Sequence, residues 1–144
     1  MPDNSRKSIK QLSLSDAGDV QGFLRLKDII ARLRSADGCP WDRRQTPQSL
    51  KKYLLEEAAE LADAIEEDDP AHVCEEIGDL FYILGMLNAM YADRGDFTAS
   101  EALSSICKKM IRRHPHVFGD SPTGDDAALR RQWEAIKKKE NKSL

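Results

Sequence analysis

No stretch of this 144-residue chain approaches the roughly 18 to 20 consecutive apolar residues that a membrane-spanning helix needs. The opening "MPDNSRKSIKQLSLSD" also lacks the apolar centre of a secretory leader. The expectation is a cytoplasmic protein with no membrane partner. Neither sign of charge dominates: 22 Lys and Arg face 25 Asp and Glu, a net charge of -3, so bulk binding of a nucleic-acid polymer is not indicated. Cysteine is scarce. Cys39, Cys74 and Cys107 are odd in number, widely spaced and without a CxxC pair, which argues against a disulfide framework and a zinc site and for reduced thiols. Nothing alternates with the period of two that a half-buried strand requires.

What is present is helical period almost throughout. The expected fold is all-α, a bundle of about five helices whose central antiparallel pair carries acidic motifs. The length suits one domain, read as a tail over 1–16, a helical domain over 17–140 and a tail over 141–144. Residues 18–35 place Phe23, Leu26, Ile29, Ile30 and Leu33 at helical spacing, and the loop "ADGCPWDRRQT" follows. Thr46 can N-cap a second helix with Pro47 in its first position, running to about Glu67. Asp69 and Pro70 then start a third helix that ends near Arg94, and so short a turn makes the two antiparallel neighbours. Thr98 and Glu101 have capping-box spacing for a fourth helix ending near Arg113. After the loop "HPHVFGDSPTGDD", a charged helix spans about Asp126 to Lys139.

Carboxylates interrupt the apolar faces of the central pair. In the second helix Leu50, Leu54, Leu61 and Ile65 form a stripe, and Glu57 fills its seven-residue gap. Glu60 lies one turn on, about 60° around the axis. In the third helix Val73, Ile77, Leu80, Leu84, Leu87 and Tyr91 are the expected core stripe, flanked by Glu76 and Asp79. Since "LFYILGML" is apolar all round, that helix should be covered on most sides. Two facing carboxylate pairs converge four acids, and crowded, partly desolvated acids either raise one another's pKa or recruit a cation. An all-oxygen set suits magnesium, with manganese as a substitute. Taken singly, a Glu-x-x-Glu pair reads better as a solvated helix face; it is two such pairs on adjacent helices that favour the cation site. Glu66, Glu67, Asp68 and Asp69 lie at the helix end and turn and are assigned no chemistry, while Glu56 and Glu75 are either outer partners of the acids or surface. His72, His114 and His116 are not placed to join the acids as a diiron bundle's Glu-x-x-His would be. Cys39, Trp41 and Asp42 read as packing and local hydrogen-bonding residues and are left outside the site.

The phrases "ARLRSADGCPWDRRQT", "YLLEEAAELADAI", "EEIGDLFYIL" and "KKMIRRHPHVFGD", in this order, resemble the MazG family of nucleoside triphosphate pyrophosphohydrolases across roughly residues 20–140. The family's Glu-x-x-Glu and Glu-x-x-Asp signature falls on Glu57, Glu60, Glu76 and Asp79. The resemblance implies that these acids bind magnesium and that an NTP or dNTP is hydrolysed to monophosphate and pyrophosphate. It also implies substrate binding by Lys109, Arg112 and Arg113 of "KMIRR", and by Trp133 of the last helix. The residue types suit that chemistry: cations neutralise phosphate oxygens and an aromatic face stacks a base. With "IRRHP" ending a helix, the arginines are expected to be free to reach a triphosphate. Read without the resemblance, the basic run equally suits a helix C-terminus and Trp133 a core anchor. "CPWD" and "RRHPHVFGD" are similar to the N-terminal half of two-domain MazG proteins, whose C-terminal half is usually credited with activity. The alternative is therefore a catalytically weak helical module that binds nucleotides or dimerises. Surplus apolar surface on the third helix points to a homodimer or higher homo-oligomer.

Overall fold

Proline opens four of the seven helices that the computed structural model holds among the residues it describes, 14–142, because a residue without an N–H forfeits nothing in a first turn. The order is α1 (Leu14–Leu33), α2 (Pro40–Arg44), α3 (Pro47–Glu66), α4 (Pro70–Asp93), α5 (Ala99–Arg113), α6 (Pro115–Phe118) and α7 (Asp126–Lys142), with no strand among the described residues. The five long helices lie where helical period places them. The two short ones, α2 and α6, fall in segments read as loops, since five and four residues are too few to display a period. Of the expected tails, residues 1–13 and 143–144 lie outside the described residues, while 14–16 begin α1 and 141–142 complete α7. The chain divides into two compact units, one ending at Ala99 and the other starting at Ser100.

In the first unit α4 packs against both α3 and α1. The α3 start is fixed reciprocally: Ser49 N–H donates to Thr46 Oγ1 at 3.1 Å and Thr46 N–H to Ser49 Oγ at 2.9 Å, a capping box closed by serine. Asp69 caps α4, its Oδ1 accepting from the N–H groups of Ala71 and His72 at 3.1 and 3.3 Å. Between the two helices Asp68 adopts φ +52°, a left-handed conformation that aspartate tolerates better than most residues. Just past the α4 end, beyond the C-cap Arg94, Gly95 adopts φ +77°, where a side chain would be strained.

Ile30 of α1, Leu50 of α3 and Met86 and Met90 of α4 form the core, edged by Leu26, Tyr53, Tyr82, Leu87 and Ala89. Glycine at 85 lets α1 approach: a Cβ there would sit 2.5 Å from Ile30 Cδ1. The buried line of α4 runs Glu76, Ile83, Met86, Met90, which rotates the expected stripe and puts Glu76 on the core-facing side. Ile77, Leu84 and, on α3, Ile65 are exposed instead of buried. A helix that is apolar all round carries no period to choose its inward face, so the choice falls to whichever neighbours pack on it.

The second unit contains most of α5, then α6 and α7. Its side chains pair between the end of α5 and α7, through contacts of Arg112, Arg113 and His114 with Trp133 and Glu140.

Candidate metal centre

The short turn from Glu67 to Asp69 folds α4 back along α3, so residues about two to three turns before the α3 end face residues about two to three turns into α4. Glu57 lies one turn beyond Tyr53, a residue packed on the core, and is drawn inward with it. Glu76 is 5% exposed. One carboxylate oxygen from each of Glu57, Glu76 and Asp79 lies within 4.8 Å of the others. Glu57 Oε2 and Glu76 Oε2 are both buried and accept no hydrogen bond. An unpaired buried carboxylate oxygen is costly, and two of them on residues of one acidic cluster have the chemistry of ligands for a cation. The donor set is three hard oxygens on two adjacent helices, which fits magnesium or manganese.

Electrostatics agree with the geometry. Burial pushes the Glu57 carboxyl above its ordinary 4.5, and the charges of Glu60, Asp79 and Glu76, with close contact to the Glu76 carboxyl, push it the same way. Three of the four acids singled out by the sequence therefore meet. Glu60 is exposed and stands outside the 4.8 Å group, one helical turn from Glu57 and acting on it through charge. Glu56 and Glu75 are exposed surface residues.

One neighbour was overlooked. His72 Nε2 stands 3.1 Å from Glu76 Oε1, and its Nδ1 stands 3.1 Å from Glu67 Oε2. The hydrogen bond with Glu67, more than that with Glu76, raises the His72 pKa above its usual 6.5. The expectation that His72 stays apart from the acids is thus corrected, and Glu67, assigned no chemistry from the sequence, is its second partner. The signal was present as His-x-x-x-Glu, the four-residue spacing that stacks two side chains on a helix, whereas the diiron comparison looked for a three-residue spacing.

The "CPWD" loop has a structural role in the first unit. Asp42 is 5% exposed and accepts a hydrogen bond from the Tyr82 hydroxyl, while its backbone carbonyl accepts from Arg34 Nη1 at 2.8 Å. Burial and the Asp42 carboxylate together push the Tyr82 hydroxyl pKa well up. Trp41 packs edge-on against Tyr53, ring centres 5.5 Å apart. Helix α2 is thereby pinned to α3 and α4.

In the second unit the arginines are engaged, not free. Arg112 Nε donates to Glu140 Oε1 at 2.7 Å and Arg113 Nη2 to Oε2 at 2.8 Å, and these bonds hold the Glu140 carboxyl down at about 2. The cause missing from the sequence reading is Glu140, 27 and 28 positions away. The Arg113 guanidinium lies 5.1 Å from the Trp133 ring centre, and the His114 ring meets the same indole edge-on at 5.3 Å. Lys109 and Trp133 are half-buried.

Comparison with known proteins bears on both units. Residues 45–118 match the MazG nucleotide pyrophosphohydrolase domain. The chain is 44% identical over 118 residues to the nucleoside triphosphate pyrophosphohydrolase/pyrophosphatase MazG of Thermotoga maritima, covering 82% of this chain and 45% of that protein. It is also 44% identical over 118 residues to the uncharacterised protein YabN of Bacillus subtilis, covering 82% of this chain and 24% of that one. The chain thus spans 24% and 45% of the length of these two curated relatives. Among solved structures, a mazG-related protein from Thermotoga maritima is similar with a TM-score of 0.66 and 29% identity, over 80% of this chain and 98% of that one.

Proposed function

The chain belongs to the MazG nucleotide pyrophosphohydrolase family, and on that premise we propose that it hydrolyses nucleoside triphosphates, NTP or dNTP, at the α-β phosphoanhydride to the monophosphate and pyrophosphate. The observation that carries this reading is the pair of buried, unpartnered carboxylate oxygens on Glu57 and Glu76 beside Asp79. These three residues would hold magnesium, or manganese in its place. Such an ion, when bound, neutralises phosphate oxygens and makes water more acidic. Glu57, Glu76 and Asp79 orient the phosphate end of the substrate by fixing where positive charge can sit. Glu60, exposed beside Glu57, takes a proton from the attacking water. Lys109, Arg112, Arg113 and Trp133 are the substrate-binding candidates by residue type, suited to phosphate oxygens and to stacking a base.

The proposal extends to self-association and to a role in the cytoplasmic nucleotide pool. No helix among the described residues is long and apolar enough to cross a membrane. Phe23 of α1 meets Phe81 of α4 edge-on, ring centres 5.3 Å apart, yet both are exposed, as are Ile77 and Leu84. Such a face supports association with a second copy, and a monodisperse monomer by light scattering at micromolar concentration would refute it.

A second reading, a helical module that binds nucleotides with little turnover, is favoured by one observation: Glu140 already occupies Arg112 and Arg113. Pyrophosphate release over a panel of NTPs and dNTPs, with magnesium and with EDTA, separates the two. Metal-dependent release supports the enzyme; nucleotide binding without release supports the module.

A further inference from the structure

Glu76 is an unusual ligand candidate because its two oxygens are treated differently. Both belong to a side chain that is only 7% exposed, yet Oε1 has a partner in His72 Nε2 at 3.1 Å while Oε2 has none. A glutamate has three side-chain torsions and, unrestrained, can turn either oxygen toward or away from its neighbours. A hydrogen bond to one oxygen removes that freedom and leaves the other directed at whatever lies opposite. Opposite Glu76 are Glu57 and Asp79, each with a carboxylate oxygen within 4.8 Å of one of its own.

The histidine is itself held. Its Nδ1 meets Glu67 Oε2 at 3.1 Å, at the end of α3, and its backbone N–H is bound by the Asp69 cap. Each ring nitrogen of the imidazole thus stands within hydrogen-bond distance of a carboxylate oxygen, one on either side of the turn. The result is a chain from Glu67 through His72 to Glu76 that spans the turn between α3 and α4. We infer that His72, oriented by Glu67, is a positioning residue that sets the Glu76 carboxylate with one oxygen turned into the cation site. This inference rests on the metal-centre reading of Glu57, Glu76 and Asp79, and it adds a residue that touches neither cation nor substrate.

Charge and orientation make opposite demands, which gives the test its sign. If the ring acted on the site only as a nearby positive charge, it would oppose cation binding, and removing it would tighten binding. If it acts by fixing Glu76, removing it weakens binding, by roughly tenfold or more as for other residues that support a metal ligand. The probe is Mn²⁺ alone, titrated into the full chain by calorimetry and by loss of the free-ion EPR signal, with circular dichroism to report folding.

Wild type should bind Mn²⁺. His72→Ala should bind roughly tenfold more weakly. His72→Gln, whose amide can donate in place of Nε2, should recover much of the loss, and Glu67→Gln should fall between wild type and His72→Ala. Unchanged or tighter Mn²⁺ binding in folded His72→Ala overturns the positioning role while leaving the site reading intact. His72→Gln as weak as His72→Ala also overturns it, and serves as the deciding variant if the alanine protein does not fold. Absence of Mn²⁺ binding in wild type overturns the site reading and this inference with it.

Discussion

Replacing Glu57 with glutamine is the sharpest probe of the acidic cluster, because it removes charge while keeping shape. Two full negative charges no more than 4.8 Å apart repel by at least roughly 3.5 kcal/mol at an effective dielectric of about 20. Water and the raised pKa of Glu57 both reduce that repulsion at neutral pH, so the expected gain in the metal-free protein is about 1 kcal/mol. For a chain of this length that is a rise of about 2–4 °C in Tm. The wild-type protein should behave oppositely with metal: magnesium at about 100 times its Kd stabilises by ~2.7 kcal/mol, or about 5–10 °C. Glu57→Gln should lose most of that increment along with most pyrophosphate release. The pH profile supplies a further check. A carboxyl whose folded pKa lies above its unfolded 4.5 favours the folded state at low pH, and the contribution disappears as pH rises through the folded value. Glutamine abolishes this slope. Thermal melts of both proteins, with EDTA and with magnesium at several pH values, measure all of it. A metal-free Tm that falls on substitution, together with an unchanged magnesium increment, would refute the reasoning.

The remaining expectations concern other parts of the molecule. Arg113→Ala should lower kcat/KM by roughly tenfold or more if the guanidinium binds phosphate; a loss of stability with unaltered kinetics would assign Arg113 to Glu140 and Trp133 alone. The Glu140 ion pairs should stabilise the fold above pH 4.5 and fade as pH falls toward about 2, since the folded pKa is depressed; acid titration of Glu140→Gln, monitored by circular dichroism, should lack that component. Met86→Ala, at a position with no exposure, should cost about 2–5 kcal/mol in urea unfolding. Tyr82→Phe should cost about 1–3 kcal/mol by leaving the buried Asp42 carboxylate without its donor, read from the same unfolding curves.

Local chemistry, which is carried by neighbouring residues, was legible in the sequence. Thr46 with Pro47, and Asp69 with Pro70, mark helix starts that the structure repeats, because caps and first-turn prolines act within a few positions of themselves. The spacing of Glu57, Glu76 and Asp79 was legible for the same reason: residues three or four apart share a helix face, and a three-residue turn leaves antiparallel helices little choice of partner. What lay beyond the sequence were choices among equivalents and pairings over distance. The "LFYILGML" stretch of α4 is apolar on every side, so only the packing of α1 and α3 decided that Met86 and Met90 turn inward while Leu84 and Phe81 remain exposed. Tyr82 finding Asp42 across 40 residues, and Arg112 finding Glu140 across 28, depend on helices being brought together. No local pattern encodes such a meeting, because free energy from a distant contact appears only once the intervening chain has folded.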